Sequence, residues 1–284
     1  MTAALQRVIL CAPEAAGWND PARADGWREL GYQWPANGKK AAAQHDILRR
    51  RLEEAGVEPL LLPAAADLSP DAVYAHDASI ITDRGAVVLR MGKAVRAAEP
   101  ARHAAFYGAL GVPIVGAIEE PGTIEAGDIV WIDRDTLLVG RGYRTSAAGI
   151  AQLRDLMGPL RVEVIEAPLP HGPGPDACLH LMSLLSLLDA RTALVDLAWL
   201  SVPTVEVLRG RGYDLVPIDT AERDTLACNV LALGDGRLLA LEENSSTNRT
   251  LKERGFDVRT FPGRDLGING GGGPTCLTRP LLRR

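Results

Sequence analysis

Cys276 lies within the stretch 269-NGGGGPTCLT-278, where a run of four glycines leads to it through Pro274 and Thr275. Four consecutive glycines carry a larger backbone entropy cost than any other four residues. Such a run implies a backbone that approaches a ligand closely and aims one side chain at it. Three other connections hold groups that could serve this thiol: 74-YAHDAS-79 with His76 and Asp77, 121-PGTIEAGDIVW-131 with Glu125 and Asp128, and 171-HGPGPDACLHLMS-183 with His180. Cysteine beside histidine and carboxylates suits nucleophilic catalysis at an electrophilic carbon. A free thiol titrates near about pH 8.5, so a cation beside it, either His180 or a bound positive substrate, would raise its thiolate fraction. Asp77 and Glu125 would attract such a cation.

The same residues have plainer readings. His180, within CLHLMSLLSLL, reads equally well as a satisfied core histidine. Asp77 and Asp128 are ordinary turn residues. Cys11, Cys178 and Cys228 lie in strand-like or apolar stretches and read as small buried hydrophobes. His45, His76, His103 and His171 read as surface or loop histidines, with His76 also adjoining Asp77 and placed beside it at the site.

The elements that must position these groups form an internal repeat. Helical patterns run into a glycine and then an apolar strand in 47-ILRRRLEEAGVEPLLLP-63, 102-RHAAFYGALGVPIVG-116, 150-IAQLRDLMGPLRVEVIEAP-168, 204-TVEVLRGRGYDLVPI-218 and 250-TLKERGFDVRTF-261. Gly56, Gly111, Gly158, Gly212 and Gly255 stand where a helix C-terminus favours a left-handed residue. Hairpin patterns lie between them in 79-SIITDRGAVVLR-90, 129-IVWIDRDTLLVG-140, 183-SLLSLLDARTALVD-196 and 229-NVLALGDGRLLAL-241. The unit is strand, strand, helix, strand, and the return through a helix makes the last pairing parallel. About five such units sharing one core predict a single α/β domain over residues 1–284, with the four connections converging.

Composition bounds the function. The chain has 284 residues with net charge −5, which argues against a nucleic-acid surface. The wide cysteine spacing argues against a zinc cluster or disulfide framework. No apolar run is long enough to span a bilayer and no secretory signature is evident, so the expectation is a cytoplasmic protein with no membrane partner.

The segments 121-PGTIEAGDIVWIDRDTLLVGRGYRT-145, 180-HLMS-183 and 270-GGGGPTCL-277 resemble the guanidine-modifying (pentein) superfamily, nearest in pattern to the dimethylarginine dimethylaminohydrolases. The resemblance runs from about residue 73 to the C-terminus and implies a five-fold pseudosymmetric α/β propeller. It implies that Cys276 attacks the guanidinium carbon to give a covalent thiouronium, and that His180 is general acid and base. Glu125 and Asp77 match carboxylates that hold the guanidinium, while Arg90 and Arg144 match arginines that bind the substrate's α-carboxylate. Asp128 and His76 are counted with the substrate-binding set. No metal and no organic cofactor is implied; the partner is a small guanidino or ureido amino acid, and a homodimer stays open.

Two departures bear on the substrate. Deiminases and amidinotransferases of this superfamily carry His-x-Asp, whereas this chain has His180-Leu181-Met182. An apolar side chain there fits an Nω-alkylated arginine, which has fewer N–H donors, or a ureido group. Ser146 and His76 also differ from the residues usual at their positions, and Arg96 lies near enough to Arg90 to be an alternative carboxylate ligand. The expectation is hydrolysis of dimethylarginine to citrulline and dimethylamine. The alternatives are a citrulline ureidohydrolase, an arginine deiminase, an amidinotransferase or a non-catalytic binding protein. Residues 17–38, with three tryptophans, read as a lid or as ordinary packing.

Overall fold

The computed structural model describes residues 2–175, 177 and 179–284, so the expectation for Cys178 lies outside the described residues. Along the chain the elements are β1 (Leu5–Leu10), α1 (Pro21–Ala24), α2 (Gly38–Glu54) and β2 (Glu58–Leu61), followed by four copies of one unit. These are β3 (Ser79–Thr82), β4 (Gly85–Val88), α3 (Glu99–Ala109) and β5 (Ile114–Ala117); then β6 (Ile129–Trp131), β7 (Thr136–Arg141), α4 (Ala147–Met157) and β8 (Glu163–Pro168). The last two are β9 (Leu185–Leu187), β10 (Thr192–Val195), α5 (Val202–Gly210) and β11 (Asp214–Pro217), and β12 (Leu231–Gly234), β13 (Arg237–Leu241), α6 (Ser245–Glu253) and β14 (Asp257–Phe261). The chain ends in β15 (Arg279–Arg283).

Each unit is a three-stranded sheet whose hairpin is antiparallel and whose third strand, reached through the helix, is parallel to the second. The hairpin between β12 and β13 shows the local cause: Asp235 and Gly236 both take positive φ, as a two-residue turn with the twist of its strands requires. The fifth sheet has no hairpin of its own. Its order is β15-β1-β2, with β15 antiparallel to β1 and β2 parallel to it, so the two ends of the chain complete the ring.

Gly56, Gly111, Gly212 and Gly255 are left-handed, as the repeat predicts. Gly158 is not: it continues helically at φ −53°, and Arg161 takes the left-handed position at the end of the following turn. The Gly158-Pro159 step delays the reversal because proline fixes a helix-compatible φ.

Apolar faces meet in clusters that run from sheet to sheet. Helix α2 buries Ala41, His45, Leu48 and Leu52, a stripe at three- and four-residue spacing. His45 thus belongs to a core face, and His103 and His76 are buried as well, so three of the histidines expected at the surface are interior; His171 is exposed. Helical phase explains His45, and a polar partner explains His103, whose Nδ1 lies 3.1 Å from Ser79 Oγ. No helix among the described residues is long and apolar enough to cross a membrane.

Candidate functional site

The polar residues and the cysteine singled out in the sequence, with Asn229 added, stand just ahead of a strand in each of the five sheets. These are Asp77 before β3, Glu125 and Asp128 before β6, His180 before β9, Asn229 before β12 and Cys276 before β15. Several of the loops carrying them are bonded to their neighbours. Asp77 accepts the Gly127 N–H at Oδ1 (2.9 Å), while its carbonyl accepts Ala126 N–H (2.9 Å). Glu125 reaches back, its Oε1 accepting the N–H groups of Gly92 (3.0 Å) and Lys93 (3.1 Å). Asp128 Oδ1 accepts Leu181 N–H (2.9 Å), and Asn229 Oδ1 accepts Thr275 N–H (3.0 Å). The Cys276 carbonyl then accepts His76 N–H (3.1 Å), which returns the chain of contacts to the first unit.

His180 Nε2 lies 2.9 Å from Glu125 Oε2. Arg144 Nη1 donates to both oxygens of the same carboxylate, at 3.1 and 3.0 Å. Burial alone would raise the Glu125 carboxyl, but the hydrogen bond and charge of His180, with Arg96 and Arg144 nearby, hold it well below the usual range. Asp77 is also held low against burial, chiefly by Arg96. Arg96 Nη1 donates to Asp77, while Nε and Nη2 fork onto Glu99 and Nη2 also reaches the Tyr74 carbonyl. Burial pushes Glu99 up to about 7 in spite of that arginine.

Gly127 separates the two acids of the Glu-x-Gly-Asp segment for a steric reason. A Cβ there would lie 2.3 Å from His180 Nδ1 and 3.0 Å from Asp77 Oδ1. The glycine run before Cys276 answers to similar approaches. A Cβ on Gly270 would meet Tyr74 Oη at 2.2 Å, one on Gly272 the Tyr74 ring at 2.4 Å, and one on Gly273 the Asn229 side chain at 2.7 Å. Gly271 faces open space but is left-handed, at φ +82°. Each glycine therefore has its own requirement, three steric and one conformational.

Several expected residues sit elsewhere than the sequence implied. Arg96 is no ligand for a substrate carboxylate: it is buried behind Asp77 and bound by acids on two sides. Asp128 does not face the reacting groups but fixes the backbone after His180, and burial raises its carboxyl to about 6. His76 lies behind Asp77 and Cys276, with Nδ1 2.8 Å from the Thr278 carbonyl; burial, then Arg279, lowers it to about 3. Arg90 stands at the rim, donating to Glu120 and to the Gly122 carbonyl. Met182 packs with Val130 and Leu185 and lines a small pocket of about 30 Å³ with His76 and Thr275.

Of the three tryptophans in residues 17–38, Trp18 is core, donating to the Pro70 carbonyl at 2.9 Å, while Trp27 and Trp34 are partly buried. The segment leans on the approach to the glycine run: Gln33 N–H donates to the Asn269 carbonyl (2.9 Å) and Trp34 N–H to Asn269 Oδ1 (2.9 Å). Asn229 escaped the sequence reading because it sits inside the apolar run CNVLALG. Its place ahead of the fourth hairpin was the signal that could have found it.

Asp77, Glu125 and His180 bring one ligand-type atom each within 4.8 Å of one another, a spacing a metal ion could use. Their lone pairs are already directed at N–H groups of Gly127, Arg96, Gly92, Lys93, Arg144 and His180. That donor set suits hydrogen bonding better than metal ligation.

The sequence model of the arginine deiminase family matches residues 63–201 and 197–283. The N(G),N(G)-dimethylarginine dimethylaminohydrolase of Streptomyces coelicolor is 31% identical over 217 residues, 76% of this chain and 77% of that protein. The structure of the Pseudomonas aeruginosa dimethylarginine dimethylaminohydrolase, a mutant complexed with citrulline, superposes with TM-score 0.79 at 22% identity, covering 97% of this chain and 99% of the other. The N-terminal domain of ArgZ, an arginine dihydrolase from cyanobacteria bound to its product, gives TM-score 0.82 at 19% identity, over 98% and 97% of the two chains. These structural likenesses carry the five-unit propeller fold, and the chain belongs to the arginine deiminase family, within the pentein superfamily and near the dimethylarginine dimethylaminohydrolases.

Proposed function

We propose that this chain hydrolyses a C–N bond of a guanidino group, with Nω-methylated arginine as substrate and citrulline plus an alkylamine as products. The His180–Glu125 pair beside Asp77, with the Cys276 loop bonded to the Asp77 loop through His76 N–H, carries the reading. Cys276 as thiolate attacks the guanidinium carbon, and His180 delivers a proton to the departing amine. The thiouronium that remains is hydrolysed by a water from which His180 removes a proton, and carbon–sulfur cleavage returns the thiolate. Glu125 fixes the ring of His180, and Asp77 lies beside it to accept from the guanidino nitrogens. Arg144 and the rim residue Arg90 are assigned to the substrate's α-carboxylate.

Methylation is inferred from Met182. It is buried among apolar side chains at the position where deiminases carry the carboxylate of His-x-Asp. A free guanidinium nitrogen would find no acceptor from that side chain, at a cost of about 1–3 kcal/mol for an unmet buried donor. A second reading has its own support: Asp77 and Glu125 each already hold an arginine, which favours an uncharged ureido substrate such as citrulline.

The deciding experiment is product release from asymmetric dimethylarginine, monomethylarginine, arginine and citrulline, with Cys276→Ser as control. Citrulline and dimethylamine from the methylated compound, with little turnover of arginine, is the expected result. Preference for arginine or for citrulline would sink the Met182 argument and leave the Cys–His chemistry standing. Full activity in Cys276→Ser would overturn the mechanism itself.

A further inference from the structure

Asn229 is the fourth unit's contribution to the ring of loops, and the reaction above makes no use of it. Its Oδ1 accepts Thr275 N–H at 3.0 Å, which settles the orientation of the amide and turns Nδ2 toward Cys276 Sγ at 3.1 Å. The flipped amide would set NH2 against an N–H donor and an oxygen lone pair against the sulfur. The residue is 4% exposed and closely walled. Gly273 leaves no room for a Cβ beside it, and the Thr275 hydroxyl ties the same turn to the Val230 carbonyl at 3.1 Å. This N–H group is aimed before any substrate arrives, in a buried setting where water cannot readily take its place.

We propose that Asn229 is a catalytic hydrogen-bond donor whose side-chain N–H stabilises the Cys276 thiolate. When the thiol proton leaves to solvent or to a base, the charge that develops on Sγ faces that N–H, and a bond to an ionised acceptor is roughly twice as strong as a neutral one. The assignment rests on Cys276 being the nucleophile, and it does not depend on which guanidino or ureido compound is turned over.

The test is read without substrate. The rate of Cys276 alkylation by iodoacetamide is followed against pH in the wild type, Asn229→Ala and Asn229→Asp, with Cys276→Ser subtracted to isolate this thiol. Asn229→Asp keeps the acceptor for Thr275 N–H and removes the donor; Asn229→Ala removes both and adds no charge. The expected result is that both variants shift the alkylation profile to higher pH, with the pH 7 rate down about tenfold, in the range of one hydrogen bond to a charged group. A shift in Asn229→Asp alone would report only its negative charge and overturn the assignment. Loss of thermal stability in Asn229→Ala with an unmoved profile would also overturn it, leaving Asn229 a scaffold residue. If Asn229→Ala does not fold, the Asn229 side-chain NH2 resonances of the wild type are followed by NMR. They should shift as Cys276 titrates and stay fixed in Cys276→Ser; fixed resonances in both would reject the proposal. A wild-type profile that behaves as expected in a chain with no guanidino or ureido turnover would sink the proposed function alone.

Discussion

At the scale of single residues, the site depends on how closely the backbone lets side chains approach. Gly127 is the sharpest case, because the ring of His180 occupies the space where its Cβ would stand. Gly127→Ala should displace His180 from Glu125 and lower kcat about 100-fold, the size of effect that a misplacement near 1 Å can produce. Circular dichroism should show the fold retained, and a variant with wild-type kcat would show that the ring has another resting place. The histidines give a second prediction at this scale. Burial, the largest cause in each case, lowers His45 to about 4 and His76 and His103 to about 3. Below about pH 6.5 the unfolded chain binds protons that the folded chain refuses, so stability is lost as pH falls from there toward 4, by up to about 1.4 kcal/mol per pH unit for each histidine. His45→Leu removes a buried ring whose Nε2 has no partner. It should cost no stability at pH 7 and should flatten the loss seen in denaturant titrations between pH 6.5 and 4.5. An unchanged slope would mean that His45 titrates normally.

At the scale of elements, the glycine run divides into positions that differ in kind. Gly272→Ala forces a Cβ into the Tyr74 ring and against Cys276, so activity should fall by two orders of magnitude or more, about the loss from misplacing a reacting group. Gly271 has open space and only its positive φ to satisfy, so Gly271→Asn should keep most activity and cost less than about 1 kcal/mol in thermal unfolding. Equal losses in the two variants would refute this division. Hairpins and helices were legible in the sequence because their apolar periods of two and 3.6 are the same forces that pack the sheets and bury the helix stripes. The placement of Cys276, His180, Asp77 and Glu125 ahead of strands was legible because the repeat fixes where its connections fall. Arg96 and His103 were not, because they are buried through ion pairs and hydrogen bonds to Asp77, Glu99 and Ser79, and such pairing leaves no apolar period in the sequence. Asn229 was hidden by its apolar neighbours, and the missing hairpin of the fifth unit by the distance between its two strands in the chain.

For the whole molecule, the arrangement is a ring of five sheets in which several of the loops ahead of the strands are bonded to their neighbours. Four sheets carry hairpins that are local in sequence, and one is assembled from β1 and β15, at opposite ends of the chain. Arg284 N–H donates to the Ala4 carbonyl at 2.9 Å, and Arg283 Nη1 donates to the carbonyls of Ala3 and Ala232. Removing residues 279–284 should therefore abolish activity by freeing Cys276, while the helices and hairpins of the other four units keep much of their circular dichroism. Retained turnover after that truncation would show that the nucleophile is held without β15.

Cys276 lies three residues before β15, so a parting of the β1–β15 seam is expected to reach its sulfur before the hairpins give way. A ring can part at such a seam without tearing any hairpin, and a brief parting there would carry the sulfur away from Asn229 and His180 together. Heat inactivation should then run ahead of global melting, reversibly, with the amide protons of β1 exchanging sooner than those of β7 or β13.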